Sequence, residues 1–391
     1  MIGLLEFTNP RTIAYGEEAL EYLRDIDGNR AIIVCGKSVR RLGFVDKVSR
    51  LLTEAGLEIR VFDEVEPEPS IATIENGSKE MTAFGPDWIV AVGGGSSMDA
   101  AKAMWVLYEI PDYAVGMINP LEKLGLRKKA RMICVPTTSG SGSEATWATI
   151  VTDIDSRLKM ELASRELVPD VVILDPELPS SMPPSLTAQS GMDVLAHAVE
   201  AYASEWRNDF SEALAIKAIQ LVFSDLSKAY EDGSSAEARG RMHNAATMAG
   251  LAFSNSNVGA SHTMGHSLGA VFKVPHGRCV GLFLPFSIEF SAPVAKGKYA
   301  EIARAIGLRS DTEDEAVRGL VEAIRALKRS LHEPNTVQEA GIDETEYFAK
   351  MGDLVDRAMM SATTAFCPRI PSAAEYRRLF TCAYRGDLVD F

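Results

Sequence analysis

Cysteine is scarce and poorly placed for cross-links. The five residues Cys35, Cys134, Cys279, Cys367 and Cys382 are odd in number, widely spread and never in a CxxC. That excludes a disulfide framework and fits a reducing, cytoplasmic compartment. Cys35 and Cys134 sit inside apolar strand-like runs, where a thiol reads as a small core residue. Basic blocks are also missing. With 40 Lys and Arg against 54 Asp and Glu, the net charge is −14. This argues against nucleic acid as a partner and leaves no polybasic segment for a membrane surface. No apolar run approaches membrane-spanning length, and the N-terminal MIGLLEFTNP meets Glu6 and Pro10 too early for a signal peptide. No internal repeat or low-complexity tract stands out. The expectation is a soluble, intracellular protein. Its acidity reads as an ordinary solvated surface or as adaptation to salt or heat.

What remains is an ordinary globular composition, 46% hydrophobic and 24% charged over 391 residues, enough for two or three domains. Up to about residue 180, short β-branched runs alternate with amphipathic stretches. Candidate strands are 31–35 (AIIVC), 58–62 (EIRVF), 88–92 (WIVAV), 131–135 (RMICV), 149–152 (TIVT) and 171–174 (VVIL). Helical patterns at 44–55, 70–84 and 98–108 lie between several of them. Such alternation, with continuously apolar strands, predicts an α/β domain over 1–180 with a mainly parallel, Rossmann-like sheet covered on both faces. Beyond PELPSSMPPS the grammar changes. Positions 186–230 form a nearly continuous helical pattern, followed by helix-like segments at 237–254, 259–271, 298–306, 313–330, 344–360 and 373–385. The expectation for 181–391 is an all-helical domain.

Two loops in the first half carry chemistry. Strand 88–92 runs into Gly93-Gly94-Gly95-Ser96-Ser97 and a helix pattern begins at once. Glycines let backbone N–H groups approach a phosphate, and the helix dipole favours its charge. The spacing is neither GxGxxG nor GxxxxGK[ST], so taken alone the segment reads as a phosphate loop or as a tight structural turn. VPTTSGSGSEA follows strand 131–135 and offers the hydroxyls of Thr137, Thr138, Ser139 and Ser141. Two such loops at neighbouring strand ends would line one ligand crevice; the bland alternative is a polar loop capping a helix.

Histidine concentrates in the second half. Asp193 and His197 stand four apart in GMDVLAHAVEAY, and three of six histidines fall in SHTMGHSLGAVFKVPHG, as His262, His266 and His276. An i,i+4 pair shares one helix face. A lone pair of this kind is usually a hydrogen bond or a satisfied core histidine, but two pairs and the glycine-flanked His276 favour a metal. Asp193, His197, His262 and His276 therefore read as one divalent-metal site. One carboxylate and three imidazoles suit Fe²⁺, Zn²⁺ or Mn²⁺ over Mg²⁺ or Ca²⁺. His266 either replaces His276 as a ligand or stands beside the metal as a proton-transfer group.

The motifs GGGSxxD (93–99), PTTxGxGSE (136–144), GxDxxxHAxEAY (191–202) and HxxxHxxGxxxxxPHG (262–277) together resemble the iron-dependent (group III) alcohol dehydrogenase family. The resemblance spans nearly the whole chain; the last two motifs are specific and GGGS alone is not. It implies that Asp193, His197, His262 and His276 ligate Fe²⁺ or a substitute, with His266 adjacent but not bound. It implies that Gly94, Gly95, Ser96 and Asp99 hold the pyrophosphate of a nicotinamide dinucleotide. Thr137, Thr138, Ser141 and Lys159 would contact its ribose, phosphate or nicotinamide portion, and Phe253 would line the substrate pocket. The implied reaction is hydride transfer between the dinucleotide and an alcohol or aldehyde polarised by the metal, with His266 passing the alcohol proton outward.

Three departures from the family pattern stand out. After the first strand many relatives carry an Asp for the adenosine ribose; here Gly36 takes that position, with Lys37, Ser38, Arg40 and Arg41 close by. Glycine leaves room for a 2′-phosphate and basic side chains attract it, so NADP(H) is expected over NAD(H). Pro67-Glu68-Pro69-Ser70 stands where Pro-Asn-Pro-Thr is common, and Phe366-Cys367-Pro368-Arg369 where Asn-Pro-Arg is usual. Cys367 reads as a pocket-lining, reactive thiol or, in preference, as a buried structural one.

Trp147, Ala148 and Phe253 are candidate pocket walls for a small or medium apolar alcohol or aldehyde, since no Arg or Lys cluster accompanies the metal motif. A dehydroquinate-synthase-like lyase that retains its nucleotide lacks phosphate-anchoring residues here. A zinc hydrolase lacks the Glu of HExxH, because Thr263 follows His262. A non-catalytic binding protein would leave both loops and the cluster unused. Segment 12–15 is a candidate edge strand needing a partner, and the resemblance implies a homodimer.

Overall fold

Runs of Val, Ile and Ala with apolar side chains on both faces become neighbouring strands of a parallel sheet. The computed structural model describes residues 6–154 and 158–391, and the chain divides into two compact units, Met1–Ser181 and Met182–Phe391. In the first unit the strands are β1 (Thr12–Tyr15), β2 (Arg30–Val34), β3 (Glu58–Phe62), β4 (Trp88–Gly93), β5 (Arg131–Pro136), β6 (Ala148–Asp153), β7 (Leu158–Ala163) and β8 (Val171–Leu174). Among the described residues, six of them form one sheet in the order β1-β8-β5-β4-β2-β3, and every pairing in it is parallel.

Helices α1 (Lys37–Arg41), α2 (Phe44–Glu54), α3 (Ile71–Phe84) and α4 (Gly95–Glu109) connect these strands. Alternate strand residues serve opposite faces. Ile32, Val34, Ile89, Ala91 and Met132 pack with Met81 and Met104 of α3 and α4. Ala31, Ile33, Val90, Val92 and Ile133 pack with Val45, Val48 and Leu51 of α2. Because β3 and β4 lie on opposite sides of β2, the order reverses between β2 and β4. A switch point of this kind opens a crevice at the carboxyl ends of its strands.

One element departs from expectation. Segment 149–152 is a strand, but β6 pairs antiparallel with β7 in a separate two-stranded sheet. The LKMELA of β7 is made largely of helix formers, and pairing with β6 overrides that preference.

The second unit is helical: α5 (Pro184–Ala203), α6 (Asp209–Glu231), α7 (Ala236–Ser254), α8 (Ala260–Phe272), α9 (His276–Ala305), α10 (Glu313–Ser330), α11 (Glu344–Ala349), α12 (Met351–Met360) and α13 (Ala373–Arg385). Leu195, Val199, Ile219, Val222, Met242, Leu284 and Leu320 make one core. Met264, Leu268, Phe283, Phe286, Leu354, Tyr376 and Phe380 make another, between α8, α9, α12 and α13. The helical pattern over 186–230 is broken between α5 and α6, where Ser204 donates to the Ser256 carbonyl and Asn208 caps α6 in a capping box with Ser211. The larger surprise is α9, which begins at His276 and runs through Pro285 and Pro293 with a kink at Ala295. It is the one helix among the described residues long and apolar enough to cross a membrane, yet it is mostly buried inside the protein. That marks a core helix.

Candidate metal centre and nucleotide loops

The face of α5 that turns toward α8 and α9 carries Asp193 and, one turn on, His197. His262 lies in the first turn of α8, and His276 opens α9 after Pro275. One potential ligand atom from each of these four residues falls within 4.8 Å of all the others. Asp193 Oδ1 is at the centre: His276 Nε2 lies 3.3 Å away, His262 Nε2 3.8 Å and His197 Nε2 4.0 Å. The Asp193 side chain is 6% exposed, whereas that of His276 is 46% exposed, so the cluster opens on one side.

Asp193 Oδ1 is buried without a hydrogen-bond partner although three imidazole nitrogens surround it. A buried, unsatisfied carboxylate oxygen is costly, and a divalent cation among these four donors would satisfy it. The donor set therefore fits a metal. Burial alone would raise the Asp193 carboxyl, but the facing His197, His276 and His262 hold it well below the usual carboxylate range. Burial brings His197 down to about 3, with His262 and His276 adding to the shift. A neutral imidazole is the form that ligates metal.

Aromatic stacking positions His197. Its ring lies between Phe253, with centroids 4.3 Å apart and planes 19° apart, and His262 at 4.4 Å and 24°. Phe253 is thus in direct contact with the cluster. His266, one turn along α8 from His262, has its ring centroid 5.1 Å from that of His276 and 5.9 Å from that of His262.

Glu200 is the residue that sequence reading missed. Its carboxylate accepts the Ser261 N–H at 2.6 Å and bonds Nδ1 of His262. Burial pushes it up to about 7, while the backbone N–H groups of Gly259 and Ser261 pull the other way. The available signal was its position seven residues beyond Asp193, on the same helix stripe. Cys367 is a buried thiol that a Cβ on Gly259 would meet at 3.4 Å. Burial, then the Glu200 charge, pushes it far above the usual thiol range.

In the first unit, β4 leads into the glycine run and α4 starts at Gly95 with no side-chain cap. The two predicted loops lie against each other. Thr137 N donates to the Gly93 carbonyl at 2.9 Å. A Cβ on Gly94 would stand 3.2 Å from Thr138 Oγ1, and one on Gly95 3.1 Å from Ser141 Oγ. Ser96 Oγ accepts from Glu68 N at 3.4 Å, and Glu68 pairs with Lys159 at 2.5 Å.

Asp99 turns inward: one oxygen accepts from Ser143 Oγ at 2.7 Å and the other from Ile150 N at 3.2 Å. Buried Lys102 braces the same loop, reaching the carbonyls of Ser143, Thr146 and Ala148 at 2.6, 2.8 and 3.0 Å. Burial pushes Asp99 up and Lys102 down. Trp147 and Ala148 are half-buried at the start of β6 in this same unit.

Gly36 caps α1 at the end of β2, where a Cβ would stand 2.9 Å from the Val65 carbonyl oxygen. Close backbone approach is therefore a reason for glycine there, independent of any ligand. Lys37, Ser38 and Arg41 are exposed, while Arg40 pairs with Asp63 at 2.5 Å.

Two family models cover most of the chain: iron-containing alcohol dehydrogenase over residues 10–176, and the C-terminal part of the Fe-containing alcohol dehydrogenase family over 187–384. The chain is 42% identical to an NADPH-dependent butanol dehydrogenase from Clostridium saccharobutylicum, over 99% of this chain and 100% of that one. It is 36% identical to aldehyde-alcohol dehydrogenase 2 of Entamoeba histolytica, covering 97% of this chain but 46% of that longer protein. Among solved structures, an iron-containing alcohol dehydrogenase from Thermococcus thioreducens superposes with a TM-score of 0.89 at 34% identity, over 98% of this chain and 100% of the other. Together with the Asp–His₃ cluster, these matches establish that the chain belongs to the iron-containing alcohol dehydrogenase family.

Proposed function

We propose that this enzyme interconverts small or medium apolar alcohols and aldehydes using NADP(H), with one divalent cation held by Asp193, His197, His262 and His276. The observation that carries the reading is the buried Asp193 oxygen with three imidazole nitrogens around it. A cation there polarises a carbonyl oxygen, or lowers the pKa of an alcohol, while the nicotinamide carries the hydride. Fe²⁺ is the expected ion, and Mn²⁺ or Zn²⁺ suits the same donors.

Asp193 brings one negative charge and limits the net charge of the site. Phe253 fixes the His197 ring and offers an apolar wall to the substrate. His266 takes the alcohol proton toward solvent. The unit Met1–Ser181 is the dinucleotide-binding domain and Met182–Phe391 the metal-binding domain. Gly94, Gly95 and Ser96 present the backbone of the α4 start to the pyrophosphate, Thr137, Thr138, Ser141 and Lys159 complete the cradle, and Asp99 holds the cradle's shape from within. NADP(H) is supported by the name of the butanol dehydrogenase relative and by exposed Lys37 and Ser38 beside Gly36.

Five free cysteines support a reducing cytoplasm. The β1 edge, paired to β8 on one side, supports a homodimer. The deciding experiment is anaerobic assay of metal-stripped protein reloaded with Fe²⁺, Mn²⁺ or Zn²⁺, using short primary alcohols and either dinucleotide. Metal-dependent reduction of NADP, with NAD much poorer, is expected. Absence of turnover in a fully loaded protein would sink the reading.

A further inference from the structure

Glu200 lies seven residues past Asp193 and three past His197, so all three project from one stripe of α5. Its side chain is 7% exposed. Gly259 gives α8 no side-chain cap; instead, Glu200 reaches across from α5. One carboxylate oxygen accepts the Ser261 N–H at 2.6 Å, at a helix N-terminus that favours negative charge. The other bonds Nδ1 of His262, whose Nε2 faces Asp193 Oδ1 at 3.8 Å. An imidazole that donates Nδ1–H to a carboxylate keeps its lone pair on Nε2. His197 is held differently: its ring is stacked on both faces, and its Nδ1 is buried with no hydrogen-bond partner.

We propose that Glu200 is a positioning residue that sets both the tautomer and the direction of His262 for metal binding, an inference that rests on the metal reading of the cluster. Glutamine at this position creates a conflict. Two donors, Ser261 N–H and His262 Nδ1–H, face a side chain with one carbonyl. If the amide serves Ser261, its NH₂ meets Nδ1 and the imidazole proton moves to Nε2, where it blocks the metal.

The test uses the full chain, stripped of metal and titrated with Co²⁺ as a spectroscopic probe. Wild type is expected to bind one Co²⁺ per chain. Glu200→Gln should bind it about 10- to 100-fold more weakly, the usual effect of losing such a partner, with an altered visible absorption spectrum. Unchanged affinity and spectrum in a folded variant would overturn the proposal while leaving the metal reading intact. Failure of wild type to bind Co²⁺ would overturn both. Should the variant not fold, ¹⁵N-histidine spectra of metal-free wild type on the alkaline side of neutrality decide. With six histidines, the His262 signals can be assigned by their loss in His262→Gln. An Nδ1–H tautomer is expected, and Nε2–H at His262 would refute the proposal.

Discussion

Gly277 and Gln189 approach so closely that a Cβ on the glycine would stand 2.4 Å from the Gln189 carbonyl oxygen and 3.3 Å from Asp193 Cβ. That contact presses the first turn of α9 onto α5 and brings His276 within reach of Asp193. Gly277→Ala forces the helices apart at the cluster. We expect a lower Tm, reflecting about 1–3 kcal/mol of overpacking, and reduced bound metal at equal loading. Calorimetry and metal analysis of the purified variant check both, and full metal content with an unchanged Tm would contradict the packing argument.

The cluster itself makes a prediction about stability. A ligand that binds only the folded state stabilises it by RT ln(1 + [L]/Kd), about 2.7 kcal/mol at a hundredfold excess over Kd. Chelator should therefore lower the Tm of wild type. It should have little effect on Asp193→Asn, which removes the one ligand charge among the four donors. Equal chelator sensitivity in the two proteins would argue that the cation sits elsewhere.

How much of this is legible in the sequence depends on how local each cause is. β2, β4 and β5 were readable because a strand buried on both faces leaves an unbroken apolar run. That Asp193 and His197 share one face of α5 was readable because helical spacing is a local property. α9 was hidden because Pro285 and Pro293 ordinarily end a helix, whereas here the helix runs through both and kinks at Ala295. β7 was hidden because its residues favour helix and only pairing with β6 makes them a strand. Glu200 was visible as part of a motif but not as a partner, since its bond to His262 joins residues 62 positions apart. Asp99 shows the converse, with one oxygen spent on Ser143 of the second loop and the other on Ile150 of β6.

His266 shares a helix face with His262 but is not one of the four clustered donors. His266→Ala should leave stoichiometric metal in place while kcat falls by about 10²-fold or more, the usual contribution of a positioned proton-transfer group. Partial rescue by added imidazole would strengthen the assignment. Loss of the metal instead would make His266 a ligand, and the geometry around His276 would need another explanation.

Cofactor choice can be separated from packing at the end of β2. Gly36→Asp is a poor probe, because its Cβ would meet the Val65 carbonyl oxygen at 2.9 Å and disturb the backbone whatever the charge does. Lys37 is exposed beside it and can be altered without that clash. A hydrogen bond to a charged group is worth about 1.5–3 kcal/mol, so Lys37→Ala should raise the KM for NADPH by about 10- to 100-fold. The KM for NADH should stay near its wild-type value, because NADH lacks the 2′-phosphate that the ammonium would meet. Steady-state kinetics with both dinucleotides on one metal-loaded preparation give the comparison. If Lys37→Ala weakens both cofactors equally, the lysine acts on the fold or on a shared phosphate, and the preference must arise from other residues around the crevice.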